Sequence, residues 1–153
     1  MSFSSDCKEE LCRVPCDKAC CRLSELGALY MTLGTLSLLG QGRLSVQFSM
    51  ESPAIARRVF TLLQKEARIV AQLHYVTYAR CGGRRKCVLT VGPRQAPAFM
   101  TLMGMMEADA DGAQALRSTT PRLKLNRDCC RRAFLRGALL GCGTITDPNV
   151  ARS

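Results

Sequence analysis

Cys20-Cys21-Arg22 leads without a gap through Leu26 to Gly34-Thr35-Leu36, and Cys129-Cys130-Arg131 leads in the same register through Leu135 to Gly143-Thr144-Ile145. Six paired positions are identical: both cysteines, the arginine, the leucine, the glycine and the threonine. Such a repeat within one chain points to a pseudo-twofold unit, in which two equivalent helices pack together and each launches its own sheet. Small residues stand where the helices must approach closely. Gly27 and Ala28 in the first copy and Gly137, Ala138 and Gly141 in the second form the expected helix-pair interface.

Beyond Thr35 the period changes from helical to alternating. Leu36 and Leu38 share a face, Gly40-Gln41-Gly42 turns the chain, and Leu44, Val46 and Phe48 return on that face, which predicts a hairpin. Ser52 as N-cap and Pro53 at the first helical position open a helix with the apolar stripe Ile55, Val59, Leu62 and Leu63, and with Arg57, Arg58 and Lys65 on or beside the solvent side. A second alternating run covers roughly Arg68 to Ala79, Gly82-Gly83 turns, and Arg84 to Val91 is its partner strand. Pro93 and Pro97 precede a Met-rich helix over about Ala98 to Glu107, whose Met100, Met103, Met105 and Met106 read as core filler.

At the start, Asp6 followed by Glu9 predicts a short helix over Asp6 to Val14 that Pro15 ends, and the long helix begins near Asp17. The Asp/Gly/Ser/Thr-rich stretch from Ala108 to Thr120 reads as a linker. Asp128 then caps the second helix copy, and one incipient strand follows. The predicted order is α, then αββαββα, then a helix and that strand: an α+β fold with a first unit over 1–107, a linker over 108–127 and the start of a second unit over 128–153.

A chain of 153 residues with 47% apolar content supports one domain with a real core. The 22 Lys+Arg against 12 Asp+Glu give a net charge of +10, which favours an anionic partner, nucleic acid before an acidic membrane. Asp6, Lys8, Glu9 and Glu10 near the start leave no apolar core for a secretory signal, so a cytoplasmic location is expected. The longest uncharged stretch, Leu26 to Gly42, is interrupted by glycine, serine and threonine and falls short of the ~20 apolar residues of a membrane span, so no membrane partner is expected. Ten cysteines in a cytosolic setting read as reduced thiols, and with no C-x-x-C anywhere the expectation is buried free thiols, no metal and no cofactor.

Leu135-Arg136-Gly137-Ala138-Leu139-Leu140-Gly141-Cys142-Gly143-Thr144-Ile145 resembles a degenerate LAGLIDADG motif, and Leu26 to Leu36 occupies the same register. The chain is similar to the WhiA family, bacterial regulators of sporulation and cell division that join a homing-endonuclease-like region to a helix-turn-helix domain. The likeness runs through Ser2-Phe3-Ser4-Ser5-Asp6, Lys8-Glu9-Glu10-Leu11, Cys20-Cys21-Arg22, Ala56-Arg57-Arg58-Val59-Phe60 and Pro121 to Asn149, and it is most specific from Asn126 to Pro148. It implies a LAGLIDADG homing-endonuclease-like fold with an antiparallel saddle sheet. It also implies a truncated second repeat and an absent C-terminal helix-turn-helix, and a nucleoid-associated DNA-binding transcription regulator.

A nuclease of that fold places one carboxylate from the foot of each helix beside the scissile phosphates, where divalent metals are shared. Here Leu33 and Cys142 stand at the last acidic position, and Met31 and Leu140 at the earlier one. Leucine has no lone pair and a thiol is a poor ligand for Mg²⁺, so no enzymatic activity is expected. Asp109 and Asp111 fall in the linker, and His74 has no Ser or Cys motif to serve.

Strand alternation sorts the rest of the chemistry. With Leu44, Val46 and Phe48 inward, Arg43, Ser45, Gln47 and Ser49 point to the other face; with Cys87, Leu89 and Val91 inward, Arg84, Lys86 and Thr90 do so too, joined by Gln72, His74 and Tyr78. The expected interface with double-stranded DNA is therefore Arg43, Ser45, Gln47, Gln72, His74, Tyr78, Arg84, Lys86 and Thr90. Arg131, Arg132 and Arg136 are candidates either for phosphate or for pairing with linker acids. The alternative is a protein-interaction or dimerisation module that uses the second helix copy, Asp128–Cys142, and an open sheet edge; neither reading needs a small-molecule substrate.

Overall fold

The computed structural model describes residues 2–150, with Cys81 described by its backbone only. Helix α1 (Phe3–Leu11) is followed by α2 (Ala19–Leu33), β1 (Gly34–Gly40), β2 (Arg43–Met50), α3 (Pro53–Ala67), β3 (Gln72–Tyr78), β4 (Arg84–Val91) and α4 (Ala96–Leu102). A short pair, β5 (Met106–Ala108) and β6 (Gln114–Leu116), precedes α5 (Asp128–Cys142). From α2 to α4 this is the αββαββα order, with one antiparallel sheet in strand order β1-β2-β4-β3.

Each element follows from local chemistry. The Ser52 hydroxyl accepts from the Ile55 N–H at 3.4 Å with Pro53 at the first helical position, and α3 then buries Ile55, Ala56, Val59, Leu62 and Leu63 along one stripe. Gly40, Gln41 and Gly42 all take positive φ, the geometry that lets β1 return immediately as β2. Register then aligns Val46 with Val91 and Phe48 with Leu89, so the inner face of the two central strands is continuous.

α2 runs through the middle of the molecule, with buried residues on every side from Ser24 to Tyr30. Its Tyr30 meets Phe48 of β2 and Phe99 of α4, the three ring centroids lying 5.5 to 6.1 Å apart. Met100, Met103 and Met105 are fully buried beside them, as filler should be. No helix among the described residues is long and apolar enough to cross a membrane.

Six local expectations change. Arg127, not Asp128, takes the N-cap position of α5, and no side chain caps it; α4 ends at Leu102 rather than near Glu107, since Met106 and Glu107 belong to β5. α1 starts earlier than Asp6, because Ser2 rather than Asp6 provides the cap, its hydroxyl accepting from the Ser5 N–H at 3.1 Å. Leu38 is 75% exposed: β1 extends past the helices, so alternation there assigns a face without a core to bury it. The stretch expected as a free linker carries the β5–β6 hairpin and is docked, with the Arg117 and Arg122 N–H groups donating to the carbonyls of Met105 and Met103, each at 2.8 Å. After α5, residues 143–150 form no strand, and the Ile145 N–H donates instead to the Ser4 hydroxyl at 3.2 Å.

Candidate nucleic-acid interface

The face of the sheet turned away from the helices is read directly from the register. Thr35, Gln47, Thr90 and Gln72 form one row across all four strands; Ser49, Val88 and His74 form the next, then Lys86 with Val76, then Arg84 with Tyr78. Arg43 lies toward the β1–β2 turn on the same side. Gln47, Gln72, His74, Tyr78, Arg43 and Arg84 are exposed, and Lys86 and Thr90 half-buried. The Lys86 ammonium sits 5.3 Å from the centre of the Tyr78 ring, a contact that leaves its charge at the surface. None of the four strands carries an acidic residue; Glu51, after β2, lies 3.9 Å from Arg84, and Glu9 of α1 lines the same cleft as Ser49, Glu51 and Lys86.

Ser45 is an exception within this group. Alternation puts it on the outer side, yet it is buried, its hydroxyl 3.5 Å from the Val91 carbonyl, so it has no free group to offer a ligand. Alternation reports the side of a strand, not the neighbours that cover it.

The feet of the paired helices carry the four residues that the motif resemblance sets against a nuclease's acids. Met31 is exposed, Leu33 half-buried and Leu140 fully buried, while the exposed Cys142 thiol lies 3.4 Å from the Ala138 carbonyl within its own helix. The cleft beside them is also lined by Glu9 and Glu51, which come from α1 and the end of β2 rather than from the motif.

α2 and α5 touch where the small residues fall. A Cβ on Gly137 would lie 2.5 Å from the Glu25 carbonyl oxygen and 2.9 Å from the Ala28 Cβ, and one on Gly141 would overlap the Thr32 hydroxyl. Gly27 belongs elsewhere: it accommodates Leu123, which a Cβ would meet at 2.6 Å. Ala138 is half-buried beside the contact stripe of Cys130, Ala133, Gly137 and Leu140.

One feature had no signal in the sequence. The Glu25 carboxylate is fully buried between two guanidinium groups: Arg58 binds it through two bonds of 2.6 and 2.9 Å, and Arg136 of α5 donates to the same carboxylate. Arg58 also donates to the carbonyls of Cys12 and Val14, at 2.9 and 2.7 Å. Burial works against the Arg58 charge, and the bonds to Glu25 outweigh it, holding the guanidinium above its ordinary pKa. This triad joins α2, α3, α5 and the α1–α2 connection, and it takes Arg136 away from any phosphate. Arg131 is engaged as well, at 2.9 Å from both Asp128 and the Leu125 carbonyl, while Arg132 is exposed.

Comparison with known proteins agrees with this architecture. Residues 19–91 match the model of the WhiA N-terminal LAGLIDADG-like domain. The chain is 36% identical over 149 residues to the probable cell division protein WhiA of Alkaliphilus metalliredigens and 35% identical over 148 residues to that of Heliobacterium modesticaldum; each match covers 97% of this chain and 47% or 46% of the relative. The chain thus spans about half the length of the curated relatives it matches. Among solved structures, full-length WhiA from Thermatoga maritima superimposes with a TM-score of 0.61 at 21% identity, over 97% of this chain and 42% of that one. The N-terminal LAGLIDADG domain of a WhiA protein gives a TM-score of 0.57 at 20% identity, over 92% of this chain and 58% of that one. With a repeated helix motif, an αββαββα order and this kinship along nearly its whole length, the chain belongs to the WhiA family, and residues 19–91 are its N-terminal LAGLIDADG-like domain.

Proposed function

We propose that this chain binds double-stranded DNA on the open face of its sheet and acts, without cutting it, in transcription regulation linked to cell division and sporulation in the nucleoid. The observation that carries the reading is a sheet face whose strands hold no acidic residue and which presents Arg43, Arg84 and Lys86 together with Gln47 and Gln72. Cations there neutralise phosphates, and glutamine amides reach base edges. Two of the relatives named above are called probable cell division proteins, which supplies the process but not the ligand.

The non-catalytic part rests on chemistry. With Met31, Leu33, Leu140 and Cys142 at the helix feet, the motif contributes no oxygen ligand for Mg²⁺, and the metals of the nuclease mechanism lose their anchor. Purified protein added to supercoiled plasmid with Mg²⁺ or Mn²⁺ should leave it unnicked, and cleavage that tracks the protein overturns this part.

A fluorescence anisotropy titration with duplex DNA at two salt concentrations tests binding. Each phosphate neutralised contributes about −0.9 to the slope of log affinity against log salt, so a few contacts predict a steep loss as salt rises. Binding that ignores salt, or no binding at low salt, contradicts the proposal.

A second reading, docking to another protein chain, is favoured by one observation. Leu135 of α5 is 66% exposed, although Leu26, its counterpart in α2, is fully buried. A partner chain docked on α5 would cover this leucine.

A further inference from the structure

At the end of the helix pair opposite the motif feet, the fold gathers four sulfur atoms. Cys20 and Cys21 lie in the first turn of α2, after Lys18 as N-cap, and Cys129 and Cys130 hold the equivalent places in α5, after Arg127. Their Sγ atoms all lie within 4.8 Å of one another, and the Cys20 and Cys21 sulfurs are 4.0 Å apart. Tetrahedral zinc thiolates have metal–sulfur bonds of about 2.3 Å, which places the sulfurs about 3.8 Å apart, so a small contraction of this cluster closes a four-sulfur sphere. A core of several iron atoms, each bound to its own thiolate, would need the sulfurs farther apart.

We propose that Cys20, Cys21, Cys129 and Cys130 bind one thiophilic divalent metal ion, Zn²⁺ foremost, as a structural site that staples α2 to α5. Burial fits such a closed site: Cys21 and Cys130 face the interior, and Cys20 and Cys129 are half-buried at the rim. A second, independent observation is that neither helix has a side-chain cap: the Cys21 and Cys130 N–H groups donate to the Lys18 and Arg127 carbonyls, each at 3.1 Å, while no cap side chain reaches the first-turn N–H groups, those of Cys20 and Cys129 among them. The positive ends of both helix dipoles favour thiolates at the second and third helical positions, against the burial that pushes the Cys21 and Cys130 thiols up, and a bound cation adds to the first effect. Four thiolates around a divalent ion leave a double negative charge, and Lys18 and Arg127, the two cap residues, stand beside it to offset this.

Binding moves no electrons. Each thiol releases its proton to solvent, four sulfur–metal bonds form, and the ion sheds its waters. The sequence hides the site because its ligands are two adjacent pairs, each too short to suggest a metal, which only the pseudo-twofold packing of α2 and α5 brings together.

The test uses the purified full chain, with total metal measured by mass spectrometry and Co²⁺ as a spectroscopic probe. The proposal expects about one zinc per chain, thiolate-to-cobalt charge-transfer and tetrahedral d–d bands on Co²⁺ exchange, and alkylation of the four cysteines only after a chelator is added. The double variant Cys20→Ser, Cys129→Ser should lower the metal to below about one tenth per chain, and Cys7→Ser, in α1, should leave it unchanged. If the double variant fails to fold, the cobalt titration of the unaltered chain decides alone. A metal-free chain that gives no cobalt–thiolate bands, or four thiols found as disulfides, overturns the proposal.

Discussion

The two copies of the helix motif share their cysteines, arginine, leucine, glycine and threonine but live in different surroundings. α2 is covered on all sides by its own sheet, α3, α4 and α5, and Leu26 is fully buried; α5 is covered along one stripe, and Leu135 at the same motif position is 66% exposed. The repeat thus encodes how the helices pack against each other, through Ala28, Thr32, Gly137 and Gly141, and not how much of each helix is buried. The chemistry diverges further. The ligating acids of a nuclease are absent at the helix feet, whereas sulfur donors converge at the heads.

The strongest way to break the comparison is at the point where the helices are tied together. Glu25→Ala leaves the half-buried Arg58 and Arg136 without a counterion and should cost about 3–5 kcal/mol in denaturant unfolding. A loss under about 1 kcal/mol, the value of an exposed pair, would mean that the triad does not anchor the pair. Next comes the contrast itself: Leu26→Ala should cost about 2–5 kcal/mol by opening a cavity. The pair is sharpened by Gly141→Val, whose methyls meet Thr32; overpacking should cost about 1–3 kcal/mol and loosen α5 more than α2 in hydrogen exchange. Smallest of all, Leu135→Ala should stay within about 0.5 kcal/mol, the range of an exposed site. Equal losses at Leu26 and Leu135 would show that the two helices are equally covered in solution.

Part of this was legible in the chain and part was not, for physical reasons. The two hairpins and α3 could be read because their patterns are local: Val46 and Phe48 alternate with polar residues, and Ser52-Pro53 marks a helix start. The β5–β6 pair was invisible, since strands of three residues cannot show alternation and Gly112 with its neighbours reads as loop. Gly27 reads as part of the helix pair because periodicity cannot tell which face meets α5 and which meets Leu123. The polar residues read onto the outer sheet face do lie on that side, but Thr35, Val76 and Val88 share it unread, and at Ser45 side and exposure part company. Glu25 and the four-cysteine cluster escaped altogether. Their partners are far away in sequence, and only the folded helix pair makes them neighbours.

The DNA claim rests on the open sheet face, so the most direct measurement compares the unaltered chain with the triple variant Arg43→Ala, Arg84→Ala, Lys86→Ala, by anisotropy on duplex DNA at two salt concentrations. These side chains are exposed or at the surface and the variant should fold normally. Losing up to three phosphate contacts should weaken binding at low salt and flatten the salt slope by up to about 3. Equal affinity and equal slope in the two proteins would contradict the account and move any nucleic-acid contact off this sheet.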